Sequence, residues 1–280
     1  MSSIALNSEK KVRPRKIQSK GGLAKLGYSP REIEQRTAVI YNKVLSHSQN
    51  LDDGNFTRFS KDDLKRLFEL YDRHFFNNFF TKNHGDKIFF RLSKRMTRSG
   101  GKTSYGRKSK TFEIYLSTTL LFQTFDDVTR EVKVNGIVCH DRLEAVMRIL
   151  EHEMIHLMEL VLFERSSCSK PQFRLFSRNI FNHSDVTHQL ITQTERARET
   201  FNLRIGDRVS FEHNGQTYVG VLSRITKRAT VIVGDSDGQF VDSKGKQHSK
   251  YYVPLALLTP AKDQAALEIP TEILRSKHKS

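Results

Sequence analysis

His152, Glu153, Met154, Ile155 and His156 spell H-E-x-x-H inside a long helical pattern. Two histidines four residues apart on a helix lie one turn apart on the same face, so both imidazoles reach a single divalent cation. A glutamate beside the first histidine is placed to act on a zinc-bound water. These residue types at this spacing point to a metal-dependent hydrolase, most often a peptidase. His152 and His156 are then expected as zinc ligands and Glu153 as the general base.

A five-residue motif needs a setting that agrees with it. From Asp141 to Phe163 the chain reads DRLEAVMRILEHEMIHLMELVLF, without Gly or Pro. Leu143, Val146, Met147, Leu150, Met154, Leu157, Val161 and Leu162 fall near the three-four spacing of a buried helix face. A helix over 141–164 is predicted, with the motif set in its apolar stretch rather than on a solvated surface.

Other elements must position that helix. Ser29-Pro30 opens a predicted helix, PREIEQRTAVIYNKVLSH. Ser60 and Asp63 have the spacing of a capping box, and the helix after them runs through LKRLFELYDRHFFNNFF, with Leu64, Leu67, Phe68, Tyr71, Phe75 and Phe79 on its apolar face. KIFFRLS and TFEIYLS read as strands, and Gly100-Gly101 between them as a turn. Pro171 opens a further helix ending at Asn182-His183, and a short one is expected near 194–202. From Leu203 to Pro260 short apolar runs alternate with His-Asn-Gly, Gly-Asp-Ser-Asp-Gly and Lys-Gly-Lys turns, which predicts a small SH3-like β-barrel. The expected fold class is α+β. Its parts are a disordered basic arm (1–28), a catalytic domain (29–202), the barrel (203–260) and a polar tail (261–280).

The chain has 280 residues, a net charge of +16 and a pI near 9.9. That balance favours a polyanionic partner, nucleic acid before a membrane surface. Two cysteines, Cys139 and Cys168, make neither a disulfide framework nor a zinc finger and suit a reducing compartment. No secretory signal or membrane-spanning run is read, so a cytoplasmic protein is expected, nucleoid-associated in a bacterium. Its Ser-rich basic start reads as a disordered arm in preference to an organellar transit peptide.

FELYDRHFF, then LSKRMTRSGGKTSY (Leu92 to Tyr105), then ILEHEMIH (Ile149 to His156) form a more specific set than H-E-x-x-H alone. Over roughly Leu64 to His188 the chain resembles the SprT-like zinc metalloproteases, the group that includes the Spartan DNA–protein crosslink proteases. The resemblance implies a zincin-like fold, Zn²⁺ as cofactor, and proteolysis of proteins bound or crosslinked to DNA. It also implies a third ligand, a histidine in H-G-x-x-F/W about thirteen residues past the second motif histidine. Ser169 stands at that place here, with Phe173 retained. Cys168, His183 and His188 are the nearby substitutes. The motif helix climbs about 12 Å beyond His156 at about 1.5 Å per residue, and a helix returning from Pro171 brings His183 level with the motif. His183 is therefore the expected third ligand, ahead of His188 and Cys168; the alternative is that both loop histidines only cap or pack. By analogy with zincins, TFEIYLS is the expected edge strand that aligns substrate.

Between Arg91 and Lys110 stand eight Lys or Arg residues and no acid, among them Lys94, Arg95, Arg98 and Lys102. They suit phosphate contacts, as do Arg224, Lys227 and Arg228 beside Tyr218 in the expected barrel, where Tyr251 and Tyr252 follow. A solvated hairpin, with the tyrosines covering the barrel core, is the plainer reading. The rival at the level of function is a non-catalytic nucleic-acid-binding adaptor that keeps a degenerate zincin fold. Ser169 favours that rival and the retained Glu153 opposes it.

Overall fold

The computed structural model describes residues 19–126 and 128–261, and the backbone of 275–276. In chain order the helices are α1 (Lys20–Leu23), α2 (Pro30–His47), α3 (Lys61–Phe75), α4 (Phe79–His84), α5 (Thr118–Gln123), α6 (Arg142–Phe163), α7 (Pro171–Phe181) and α8 (Gln193–Phe201). The strands are β1 (Ile88–Ser93), β2 (Gly101–Gly106), β3 (Thr111–Ser117), β4 (Val132–Val134), β5 (Ile137–Cys139), β6 (Arg208–His213), β7 (Gln216–Ile225), β8 (Ala229–Gly234), β9 (Phe240–Val241), β10 (Gln247–Val253), β11 (Thr259–Pro260) and β12 (Arg275–Ser276). No described helix is long and apolar enough to cross a membrane.

Two compact units divide the chain. Of the described residues, one holds 19–93, 101–116 and 131–189, and the other 94–100, 117–126, 128–130 and the residues from 190 onward. In the first, capping fixes where the helices start. Ser29 and Glu32 close a capping box on α2, and Ser60 and Asp63 close one on α3. The apolar faces of α3 and α7 meet through Tyr71, Phe75, Phe76 and Phe181, all essentially inaccessible. Asn77 and Asn78, both left-handed, end α3 where a single helix running to Phe80 was expected. The basic arm expected over 1–28 stops short: Leu23 and Leu26 are buried, and the Tyr28 hydroxyl donates to the Phe75 carbonyl. Apolar spacing at 23 and 26 ties this stretch to the core; residues 1–18 lie outside the described ones.

The sheet of this unit has the order β1-β3-β2, with β2 and β3 antiparallel from Gly101↔Leu116 to Gly106↔Thr111. Two expectations change. Gly101 begins a strand instead of forming a turn, and β3 (TFEIYLS) is the central strand. The edges are β1 and β2, and β2 packs on α6. An Asn135-Gly136 turn, both residues at positive φ, joins β4 to β5 and leads into α6.

In the second unit an antiparallel sheet runs β11-β6-β7-β8-β10-β9-β12. It is open, so the expected barrel is not formed. Its outermost strands β11 and β12 are two residues each and pair only inward, with β6 and β9. Val209, Leu222, Val231 and Val253 fill its core together with Ala197 from α8 and Leu203. The C-terminal segment of this unit starts at Leu190 and takes in α8, ahead of the 203 expected for the sheet. Thr124 Oγ1 accepts from the Ile191 amide at 3.1 Å, and Arg130 pairs with Glu195, which ties 117–130 to this unit. The expected polar tail lies outside the described residues except for Ala261 and the backbone of β12.

Candidate metal centre

Asp141 starts α6 by accepting the Glu144 amide, and Tyr41 donates to the same carboxylate at 2.7 Å. The helix then passes without interruption to Phe163, where Glu164 in the left-handed region ends it. Glu153 is buried on the side facing β2, and His152 and His156 are half-buried. The two imidazole Nε2 atoms face each other at 3.1 Å. Phe173 of α7, fully buried, packs on both rings with centroids 4.8 and 4.5 Å away.

The hydrogen bonds behind these rings decide their tautomers. Asn135 Nδ2 donates to the Arg148 carbonyl at 2.7 Å, which turns Asn135 Oδ1 toward His152 Nδ1 at 3.2 Å. His152 must therefore carry its proton on Nδ1. Ser166 Oγ gives its one proton to Glu159 Oε2 at 2.6 Å, so it can only accept from His156 Nδ1 at 2.7 Å. Both Nε2 atoms are left as bare lone pairs. Burial holds both rings neutral: it pushes the pKa of His152 down to about 3, helped by His156, His183 and His188 nearby, and that of His156 to about 4. Two facing lone pairs with no proton between them repel unless a cation lies there.

A third donor completes the set. After Glu164 the chain folds back over the last turns of α6, pinned by Ser166 Oγ and by the Ser167 amide, which donates to Glu159 Oε2 at 3.3 Å. This brings Cys168 Sγ to the motif histidines. The ligating atoms of His152, His156 and Cys168 all lie within 4.8 Å of one another, the group of metal-ligand type found among the described residues. Two imidazoles and a thiol are a zinc-like donor set, and the residues present fit that ion.

His183, the expected third ligand, is not in the group. Its Nε2 donates to Glu151 Oε2 at 2.8 Å in a fully buried pair. Tyr71 Oη, at 2.6 Å, and Arg148 Nη1, at 2.8 Å, bind the same carboxylate. Burial alone would raise the Glu151 pKa, but Arg148, His183 and Tyr71 together hold it below the ordinary value. His183 does reach the level of the motif. It meets α6 at Glu151, however, about 100° around the helix from His152. His188 sits in a β-bridge with Val134.

Glu153 faces the edge strand. Thr103 Oγ1 donates to its carboxylate at 2.7 Å, and burial raises its pKa to about 8 against the lowering effect of that bond. Gly101 is required beside it: a Cβ there would stand 2.6 Å from Glu153 Oε1 and 2.8 Å from Ile149 Cγ2. Sequence reasoning passed over Thr103, Gly101, Asn135, Glu159 and Ser166. Two signals were available: the Asn-Gly turn, and an acid at 159 in the otherwise apolar stretch of the helix after His156.

Lys94, Arg95, Arg98, Lys102, Arg224, Lys227 and Arg228 are all exposed. Lys102 lies on β2 in the first unit; the other six belong to the second, Arg224, Lys227 and Arg228 around the β7–β8 turn. Tyr218 stacks on Phe211 and Tyr251 packs against it at a tilt, both against the core of the C-terminal sheet, whereas Tyr252 is 63% exposed. Residues 64–195 match the SprT-like family model. No curated protein matches the chain.

Proposed function

From the premise that this chain carries a SprT-like domain over residues 64–195, we propose that it is a zinc-dependent endopeptidase acting on proteins bound or crosslinked to DNA. The observation that carries the reading is the pair of Nε2 atoms facing each other at 3.1 Å, one turn apart on α6, with the Glu153 carboxylate on the same helix beside the edge strand. His152 and His156 would hold the ion through Nε2. Bound there, zinc would supply Lewis acidity, polarising a scissile carbonyl and acidifying a water toward neutrality.

The chain's own residues do the rest. An extended substrate segment adds to the outer edge of β2, where main-chain hydrogen bonds align it with little demand on side chains. Glu153, whose ionised form a cation held by His152 and His156 would favour, takes the proton of the attacking water and returns it to the leaving amine. Thr103 fixes the rotamer of that carboxylate, and Gly101 lets β2 approach it closely. Asn135 and Ser166 hold the two imidazoles in the tautomer that presents Nε2.

Selection of the protein target falls to basic residues carried by each unit. The exposed Lys94, Arg95, Arg98, Lys102, Arg224, Lys227 and Arg228 would contact phosphates, bringing the peptidase to any protein held on DNA. The deciding experiment is cleavage of a basic DNA-bound protein, with and without DNA, by the wild type and by Glu153→Gln. DNA-stimulated cleavage that the variant loses is expected. Equal cleavage by the two proteins would remove the mechanism, and DNA binding without cleavage in either would favour the adaptor. The logarithm of the DNA affinity should fall with that of salt by about 0.9 per phosphate neutralised; a flat response would remove the phosphate contacts.

A further inference from the structure

We propose that the thiolate of Cys168 is the third protein ligand, so that the metal centre is a two-histidine, one-cysteine site selective for thiophilic divalent cations. The inference rests on the reading that this site holds zinc and specifies how it does so.

The loop geometry supports Cys168 over the other candidates. Its Sγ shares the 4.8 Å donor group with His152 and His156. Glu159, buried beneath the loop, holds both Ser166 Oγ and the Ser167 amide. One carboxylate thus anchors the residue that orients His156 and the backbone that carries Cys168. Ser169 Oγ is engaged with Ser167 Oγ at 2.9 Å, and His183 Nε2 with Glu151. Phe173 covers the other side of both imidazoles.

On binding, the Cys168 thiol releases its proton to solvent and its sulfur lone pair forms the bond to the ion; no electron is transferred. Three protein ligands leave one of four tetrahedral positions open, as catalysis requires. The thiolate adds one negative charge to two neutral imidazoles and brings the set toward soft metals, away from magnesium and calcium.

The test uses the full chain, stripped with a chelator and titrated with cobalt(II). Wild type is expected to develop thiolate-to-cobalt charge-transfer absorption saturating at one equivalent, and Cys168→Ser to lack it. Cobalt affinity, measured by competition with a chromophoric chelator, should fall in Cys168→Ser by more than about a hundredfold, the upper end of what losing a mere supporting partner of a ligand costs. Cys168→His should regain binding without the charge-transfer band. Cys168 is only half-buried, so the metal-free variants should melt with the wild type. Charge-transfer absorption that persists in Cys168→Ser would overturn the inference. So would cobalt binding by that variant as tight as wild type, lost in His152→Ala, although the metal reading would then stand. Failure of the wild type to bind cobalt or zinc at all would overturn both.

Discussion

Replacing His183 by alanine separates a structural histidine from a metal-binding one. The His183 ring meets Glu151, whose side chain is wholly inaccessible, through Nε2 at 2.8 Å, and its own Nδ1 has no hydrogen-bond partner among the described residues. All of its polar contribution therefore runs through one charge-assisted bond, worth about 1.5–3 kcal/mol. Stranding a buried charge altogether costs about 3–5 kcal/mol. Glu151 keeps Arg148 and Tyr71 when His183 is removed, so the loss should fall below the upper end of that range. Adding the void left by a buried imidazole packed on Phe181 brings the expected cost to about 3 kcal/mol. At about 2–4 °C per kcal/mol for a chain of this size, the melting temperature should drop by about 6–12 °C. The assay is thermal and urea denaturation of chelator-treated protein, which keeps metal linkage out of the comparison, followed by zinc stoichiometry at a temperature where the variant is folded. His183→Gln, which can still offer an N–H to Glu151, should recover part of the loss. The opposite pattern would refute the reasoning: metal-free stability within about 0.5 kcal/mol of wild type, as for a neutral surface change, together with loss of bound zinc.

Asn135→Gly keeps the left-handed turn but removes the amide that orients His152, and zinc affinity should fall about 10–100-fold with the fold intact; unchanged affinity in a chelator competition would refute the tautomer argument. Gly101→Ala places a methyl against Glu153 and Ile149, so it should cost about 1–3 kcal/mol in urea unfolding and reduce peptidase activity together with it. Burial alone would raise the Asp63 pKa, but bonds from Ser48, Ser60 and Asn50 outweigh it and hold the group below its ordinary value. Its stabilising contribution is thus full above the unfolded pKa of about 3.9 and is lost as pH falls through the lower folded one. In urea midpoints followed down the acid limb, Asp63→Asn should start about 1 kcal/mol less stable and decline less; a parallel decline would contradict this.

The parts of this molecule legible in the sequence are those set by local chemistry. Ser29 with Glu32 and Ser60 with Asp63 announce helix starts, and three-four spacing carries α6 through the motif, because caps and apolar stripes act within a few residues. The spacing of His152, Glu153 and His156 belongs to the same class. What escaped depends on partners distant along the chain. β3 alternates clearly, yet whether it lies at the centre or the edge depends on β2, whose Gly-Gly start looks like a turn; Gly101 is there because Glu153, about fifty residues away, leaves no room for a side chain. Barrel closure failed for a similar reason, since it depends on the two-residue end strands and not on the turns between the long ones. The proposed third ligand shows the limit most sharply. Rise per residue places His183 at the height of the motif, but height says nothing of azimuth, and a difference of one residue on α6 turns the contact from His152 to Glu151. Cys168 Sγ comes within 4.8 Å of the motif histidines where Glu159 and Ser166 hold the loop back along the helix. A loop donor is therefore read from what anchors its loop, and here the buried acid three residues past the second motif histidine was the clue.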